Sequence, residues 1–385
     1  MALQAANAFA TYGVTDGAQV RDISDVLADA LYYDLHFLGA VDVDFGSPVM
    51  DVVHYWNEDL LSSDVVTLSA SIASGATSVS VTTGQGVRAH VGDLMVPTNV
   101  AGSAEVLQIT AISTDTLTVT RQYNSTGAST TSYASTTQFA LIRAESEGSD
   151  IGADKSQSPA VKTNYTQIFS AEDIKVTGSQ LARRMATVQM QDFIARQLSN
   201  RAIETKINLT RALLYAEKSS SSGSDTVYRT MAGIRGQINA ASGVTDSSAS
   251  ALSYAILNSN NKTIVNNGVF PDLLVIGTDL VGSVASIDSS NRRLLESDRQ
   301  AGYVVQEVLL NQGNSVRVVV DPRVNTGDAF LLSSERFHAL PMNGRGMFVI
   351  AAVDFTDAKK RRVLAEWTCE LRNADKAHCY LSNKT

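Results

Sequence analysis

Residues 179–218 run for forty positions without a glycine or a proline, and no other stretch limits the fold as strongly. The two residue types that most disfavour a helix interior are both missing from it. Its apolar residues recur in sets at helical spacing: Leu181, Met185 and Val188, then Met190, Ile194 and Leu198, then Ile203, Ile207 and Leu214. One helix over this span is about 60 Å long at 1.5 Å per residue, several times the length of an ordinary globular helix. Thr177 with Gln180 three residues on forms a capping-box pattern at its start, and "SSSSGSD" (219–225) predicts a loop at its end.

A second feature lies upstream. From Val65 to Thr120 only Arg88, Asp93, Glu105 and Asp115 are charged, and Ser, Thr, Val and Gly dominate. The segments "SVSVT", "DLMVP", "AEVLQITAI" and "DTLTVTR" read as short strands separated by turn residues, and "TTQFALIRA" adds another after a Ser/Thr/Gly-rich loop. A small β module, closed or nearly closed as a barrel and inserted in a host domain, is expected there. Elsewhere "DISDVLADALYYDLHFL" (22–38) predicts an amphipathic helix capped by Asp22. "GAVDVDFGSPVMDVVHYWNEDLL" predicts an extended arm or edge strand, since it contains Pro48. "SALSYAILNSNN" reads as helix, and "DLLVIG", "VRVVVDP" and "DAFLLS" read as strands. "GIRGQ" and "NGRGM" read as turns. In "VLAEWTCELR", Val363, Ala365, Trp367, Cys369 and Leu371 alternate with Glu366, Thr368, Glu370 and Arg372, the pattern of a half-buried antiparallel strand.

Chemistry is hard to find. The five histidines, His36, His54, His90, His338 and His378, make no HExxH or HxxxH pair. No nucleophile elbow, phosphate loop or dinucleotide fingerprint is present. Asp42 with Asp44, and Glu58 with Asp59, are the paired carboxylates a glycan hydrolase or lyase would need, but exposed strand or turn positions are the reading favoured for them. Cys369 and Cys379 are too few for a disulfide framework; they read as small buried hydrophobes, facing each other only if a tight turn is centred near Ala374. No catalytic, metal-binding or cofactor-binding residue is expected.

The net charge of −8 argues against a protein that grips nucleic acid through phosphate neutralisation. No apolar run is long enough for a bilayer, and the first residues lack a secretory signal pattern, so a cytosolic site of synthesis is expected. "KKRR" (359–362), with Asp354 and Asp357 before it, reads as a solvated, ion-paired turn. Arg183, Arg184, Arg196, Arg201 and Arg211 spread cations along the long helix. They fit either a docking surface for another subunit or a solvent face with pairs such as Asp192 and Arg196.

An N-terminal arm, an extended loop, a very long helix, a mixed α/β lobe and a final antiparallel strand follow one another in the order that resembles the major capsid proteins of tailed bacteriophages, which share the Hong Kong 97 fold. Within that group the chain is similar to the branch of the SU-ten podovirus type. The motifs that carry the likeness are "YWNEDLL" (55–61), "NYTQIF" (164–169), "VTGS" (176–179), "AIETKINLTRALL" (202–214), "MAGI" (231–234) and "AEWTCELRNADKAHCYL" (365–381). The resemblance implies an α+β fold with an N-terminal arm over 1–57 and an extended loop over 58–175 carrying the β insertion at about 64–143. It further implies a spine helix and peripheral domain over 176–235, an axial domain over 236–362, and a terminal peripheral strand over 363–385. It implies a non-enzymatic shell protein of the virion, assembled in the bacterial cytoplasm, whose partners are copies of itself in pentamers and hexamers. Scaffolding, portal and cement or decoration proteins are further partners, and packaged DNA is touched non-specifically. No coiled-coil leader precedes the arm, so a separate scaffold or none is expected, and nothing supports a covalent crosslink. Trp56, Lys155, Lys162, Arg183, Arg184, Arg196 and Arg345 are the expected contacts between subunits. A tail-tube or decoration protein and an encapsulin-like compartment are the rival readings.

Overall fold

The computed structural model describes residues 36–41, 48–59, 63–98, 105–123, 131–144, 147, 159–177, 193–224, 226–238, 243–287, 292–294, 305–352 and 357–385. The chain divides into two compact units, one made of residues 1–56 and 161–385 and the other of residues 57–160.

The first unit is organised by one strand. Ala358–Leu371, fourteen residues long, is flanked on both sides: Gln167–Ser170 and Ile174–Thr177 pair along one edge, and Phe337–Pro341 and Phe348–Ala352 along the other, all antiparallel. Its odd-numbered residues Val363, Ala365, Trp367, Cys369 and Leu371 are buried, as the alternation predicts. Its even-numbered residues Glu366, Thr368 and Glu370 are buried as well, so the expectation of a half-buried strand is corrected. Polar side chains occupy that second face because other segments of the chain cover it and supply their partners.

Helix Phe193–Tyr215 packs on the odd face, placing Leu209, Leu213 and Leu214 in a core shared with Phe169, Trp367 and Leu371. Its 23 residues make it about 34 Å long. It stops at Tyr215, three residues before the expected end, because Gly233 closes against its last turn. Gly233 donates its N–H to the Ala216 carbonyl at 2.7 Å, and a Cβ on Gly233 would lie 2.3 Å from the Ala212 carbonyl oxygen. The predicted start of the helix, with Gln180 of the capping box, lies outside the described residues. Thr205 and Thr210 are buried within the helix and satisfy their hydroxyls on the carbonyls of Arg201 and Lys206, four residues back.

A seven-stranded mixed sheet completes this unit, in the order Val244–Asp246, Cys379–Leu381, Ala329–Leu332, Leu273–Ile276, Ser315–Val320, Val305–Leu309, Arg292–Leu294. Leu273–Ile276 is buried at every position because both faces are covered. Leu273 and Val275 join the core under the long helix, while Leu274 and Ile276 join a second core with Leu257 and Ile264 of helix Tyr254–Asn266. The helix expected in "SALSYAILNSNN" begins at Tyr254, with Ser253 accepting a hydrogen bond from the Ile256 N–H.

At the N-terminal side, the short helix His36–Ala40 is held at both ends by this sheet. The Asp321 carboxylate accepts from the Phe37 N–H at 3.1 Å, and Arg317 donates to the Ala40 carbonyl at 2.6 Å. Both charges have the sign that complements the helix dipole. Phe37 is fully buried, edge-on to Phe337 with centroids 5.7 Å apart. The rest of the amphipathic segment 22–38 lies outside the described residues.

Three local expectations are corrected. "GIRGQ" forms a short helix, Ile234–Gln237. "KKRR" is the first part of the long strand, and Arg362 pairs with Asp173 across the sheet, with none of the turn geometry expected. Cys369 and Cys379 are free and buried in different cores, separated by helix Ala374–Ala377, so no hairpin brings them together.

The second unit contains a six-stranded antiparallel sheet in the order Val65–Thr67, Gln138–Ile142, Leu94–Pro97, Leu107–Ser113, Thr116–Thr120, Ser78–Ser80. A bridge between Leu68 and Val81 links the two ends of this order. Its core gathers Val66, Leu107, Ile109, Leu117 and Phe139. Against that core sits one charged pair, Glu105 and Arg121, joined by two contacts of 2.7 Å. Tyr133 donates to Glu105 at 3.1 Å, and Arg121 donates to the Thr131 carbonyl at 2.7 Å. Two buried charges persist here because all five guanidinium N–H groups are bonded, to Glu105 and to the carbonyls of Ala73, Ala76 and Thr131.

Candidate functional site

The even face of the long strand is densely wired with hydrogen bonds and ion pairs. Glu366 is 2% exposed and accepts from Arg229 Nη2 at 2.6 Å, Arg345 Nε at 2.6 Å and Thr166 Oγ1 at 2.8 Å. Arg229 also donates to the Thr166 carbonyl. Thr368 donates to the Tyr165 carbonyl at 3.0 Å. Glu370 accepts from His54 Nε2 at 2.7 Å and from Arg372 Nε at 2.5 Å. Burial pushes the Glu370 carboxyl up, and the hydrogen bonds from His54 and Arg372 more than reverse this, leaving it below the usual carboxylate range.

These side chains therefore fasten three separate segments to one strand: the arm strand Val53–Glu58, the strand Ala160–Tyr165, and the loop that follows the long helix. The backbone is fastened too. Asn164, fully buried, donates to the carbonyls of Ala232 and Cys369 at 2.9 and 2.6 Å and accepts from the N–H groups of Ala232 and Tyr165 at 2.8 and 2.9 Å. Gln237 reinforces the same two carbonyls. All of an asparagine amide's capacity is used.

Beside this face lies a cleft of about 500 Å³ lined by Pro48, Met50, Asp51, His54, His338 and Glu370, among others. His338 and Glu370 are cross-strand partners in it. In the cleft His54, Glu370 and Arg372 are already engaged with one another, while the buried His338 Nε2 has no hydrogen-bond partner among the described residues, and no Ser, Thr, Cys or Lys side chain lines it. Among the described residues no group of three His, Cys, Asp or Glu is arranged to hold a metal ion. Of the paired carboxylates, Glu58 is half-buried and Asp59 exposed on the arm, and Asp42 and Asp44 lie outside the described residues. His378 is fully buried; burial pushes it down to about 3, and it accepts from the Ser333 N–H while facing the Arg372 carbonyl. No described helix is long and apolar enough to cross a membrane.

Of the residues expected to make subunit contacts, two reach the wired face. Trp56 is half-buried and stacks on His54, with centroids 5.7 Å apart. Arg345 pairs with Glu366 and lies 4.9 Å from the Phe348 ring centroid. Lys162 is exposed on Ala160–Tyr165, and Arg196 is half-buried on the long helix. Lys155, Arg183 and Arg184 lie outside the described residues. Arg201 pairs within its own helix, with Glu204 at 2.7 Å. Sequence reasoning missed Glu366, Glu370, Asn164 and Arg229. The only signal for the carboxylates was their place opposite Trp367 and Cys369 in an alternating strand, which reads equally as solvent exposure.

Set beside known proteins, the chain matches a family model described as SU10 major capsid protein over residues 6–385. No curated protein matches it in sequence. Solved structures similar to it include the capsid of a native GTA particle, at 10% identity, covering 97% of this chain and 98% of that one with a TM-score of 0.49. A structure of Mycobacterium phage Adephagia is similar at 10% identity, covering 95% of each chain with a TM-score of 0.47. The SrpI encapsulin of Synechococcus elongatus is similar at 11% identity, covering 60% of this chain and 78% of that one with a TM-score of 0.41.

Proposed function

Since the chain belongs to the SU10 major capsid protein family, and is thus a bacteriophage capsid shell protein and a virion component, we propose that it closes into pentamers and hexamers that tile an icosahedral head around double-stranded DNA. The observation that carries this reading is the family match over residues 6–385. The family is structural and not enzymatic, in keeping with a wired face whose carboxylates are all engaged.

In this reading the chain adopts a Hong Kong 97-like fold. Residues 1–57 are the arm, 58–175 the extended loop with its β insertion, 176–235 and 363–385 the peripheral domain, and 236–362 the axial domain. The Leu68–Val81 bridge supports treating the insertion as a small barrel. Glu366, Glu370 and Asn164 act as fasteners that fix where the arm and the extended loop leave the peripheral sheet, so that the reach of each subunit toward its neighbours is set by its own fold. Assembly takes place in the bacterial cytoplasm, and portal, scaffolding and cement proteins are the further partners. A net charge of −8 lets packaged DNA slide past a shell that does not grip its phosphates.

The test is size-exclusion chromatography and negative-stain microscopy of the purified full chain. Closed shells, or rings of five and six, are expected. A chain that stays monomeric at high concentration, alone and with its co-expressed virion proteins, overturns the reading.

A further inference from the structure

The sequence holds two Asn–Gly pairs, Asn267–Gly268 and Asn343–Gly344. At such a pair the glycine main-chain nitrogen can attack the side-chain carbonyl carbon of the asparagine before it. No Cβ shields that nitrogen, and glycine tolerates the backbone rotation the attack requires. The fold treats the two pairs in opposite ways. Asn267 caps the end of helix Tyr254–Asn266: its N–H donates to the Ile264 carbonyl at 2.9 Å and its side-chain amide to the Lys376 carbonyl at 3.2 Å, while the Gly268 N–H donates to the Val265 carbonyl at 2.8 Å. The attacked amide and the attacking nitrogen are both engaged there.

Asn343 and Gly344 are instead the two central residues of an exposed turn. The Arg345 N–H closes it by donating to the Met342 carbonyl at 2.9 Å, and Gly344 has φ +68°. Among the described residues neither the Asn343 side chain nor the Gly344 N–H has a hydrogen-bond partner. Apart from its chain neighbours, no atom lies within 4 Å of the place a Gly344 Cβ would take. The turn also holds the arm. The buried Val49 donates its N–H to the Pro341 carbonyl at 2.9 Å, and its carbonyl accepts from the Asn343 N–H at 3.0 Å, shortly before the arm strand Val53–Glu58 begins.

We propose that Asn343 is a self-modifying residue of the folded chain, and that its conversion to isoaspartate slackens the clip on Val49. The Gly344 nitrogen bonds to Asn343 Cγ as the bond from Cγ to the side-chain nitrogen breaks. The proton that Gly344 gives up leaves with that nitrogen as ammonia. Water then opens the cyclic imide. Cleaving the new bond gives aspartate, whereas cleaving the original peptide bond leaves the main chain running through Cβ and Cγ, which is isoaspartate. One water is consumed and one ammonia released, and nothing is oxidised or reduced. The isoaspartyl link adds one atom to the ring that the Met342–Arg345 hydrogen bond closes, so the turn no longer presents the 343 N–H to the Val49 carbonyl.

The experiment ages the purified full chain in mildly alkaline buffer and follows both Asn–Gly peptides by mass spectrometry, with electron-transfer fragmentation to separate isoaspartate from aspartate. In the folded chain the 343 peptide is expected to become acidic and mainly isoaspartyl. The 267 peptide converts at least about tenfold more slowly, because it waits for local opening of its helix end. In urea the two convert at similar rates. Hydrogen exchange of the Val49 N–H is faster in aged than in fresh wild type. Asn343→Gln, whose longer side chain closes the ring far more slowly, keeps the wild-type thermal midpoint and shows no such change on ageing. The proposal is overturned if the 343 amide survives in the folded chain, or if the 267 peptide keeps pace with it. It is equally overturned if ageing speeds Val49 exchange in both proteins alike or in neither.

Discussion

Acidification should destabilise the first unit through one histidine, and the size of the effect follows from His378. Its ring is fully buried, Nδ1 accepts from the Ser333 N–H, and Nε2 lies 3.3 Å from the Arg372 carbonyl. A proton on Nδ1 would face another donor in a fully buried site, so the folded state holds the ring neutral down to about 3. The unfolded chain takes up that proton near pH 6.5. A folded value below the unfolded one means the unfolded state binds the extra proton, so this contribution is fully present above about pH 6.5 and is lost as pH falls toward the folded value. Between pH 7 and pH 5 the loss amounts to about 2 kcal/mol. Both tryptophans, Trp56 and Trp367, lie in the first unit, so urea unfolding followed by tryptophan emission reports on it selectively. His378→Asn keeps an acceptor for Ser333 and removes the titration. The variant is expected to be less stable than wild type at pH 7 and to lose about 2 kcal/mol less on going to pH 5, with the other titrating groups cancelling in the difference. Identical pH slopes for the two proteins would refute the reasoning.

Other substitutions probe the fasteners. Asn164→Ala strands the Ala232 and Tyr165 N–H groups and should cost about 3 kcal/mol in the same urea assay, whereas an exposed control such as Lys162→Ala should change little. Gly233→Ala forces a Cβ onto the backbone of the last helical turn and should cost about 3 kcal/mol or abolish soluble expression; a wild-type melt would show that the turn yields freely. In the second unit, Glu105→Ala leaves the Arg121 guanidinium buried without its carboxylate. It should destabilise residues 57–160 by about 3 kcal/mol, read as faster hydrogen exchange in those strands while the exchange of the long strand stays unchanged.

How much of this was written visibly in the sequence depended on whether a residue's environment is local. The apolar run Leu273–Ile276 and the short strands of the second unit, set off by turn residues, obey rules spanning a few residues, and they were legible. Phe37 was not, because its partners Phe337 and Asp321 are about three hundred positions away. The second face of the long strand was misread for the same reason: Glu366 and Glu370 look solvated until Arg229, Arg345 and His54 arrive from three other segments. "KKRR" misled because a run of cations suggests a turn, whereas a strand end with Asp173 across from it accommodates the same charges. Among the expected contact residues Arg345 also holds Glu366 within its own chain, and a side chain's exposure is fixed by tertiary neighbours that no spacing rule reveals.

The position of the long strand carries a consequence for biosynthesis. Residues 358–371 are the template on which segments near 54, 164–170 and 229 are seated, so a ribosome must add about three hundred residues after the arm strand before those segments have their template. Until then the nascent chain holds its arm and sheets unfastened. A first unit with all its segments fastened thus forms only after residue 371 has been made.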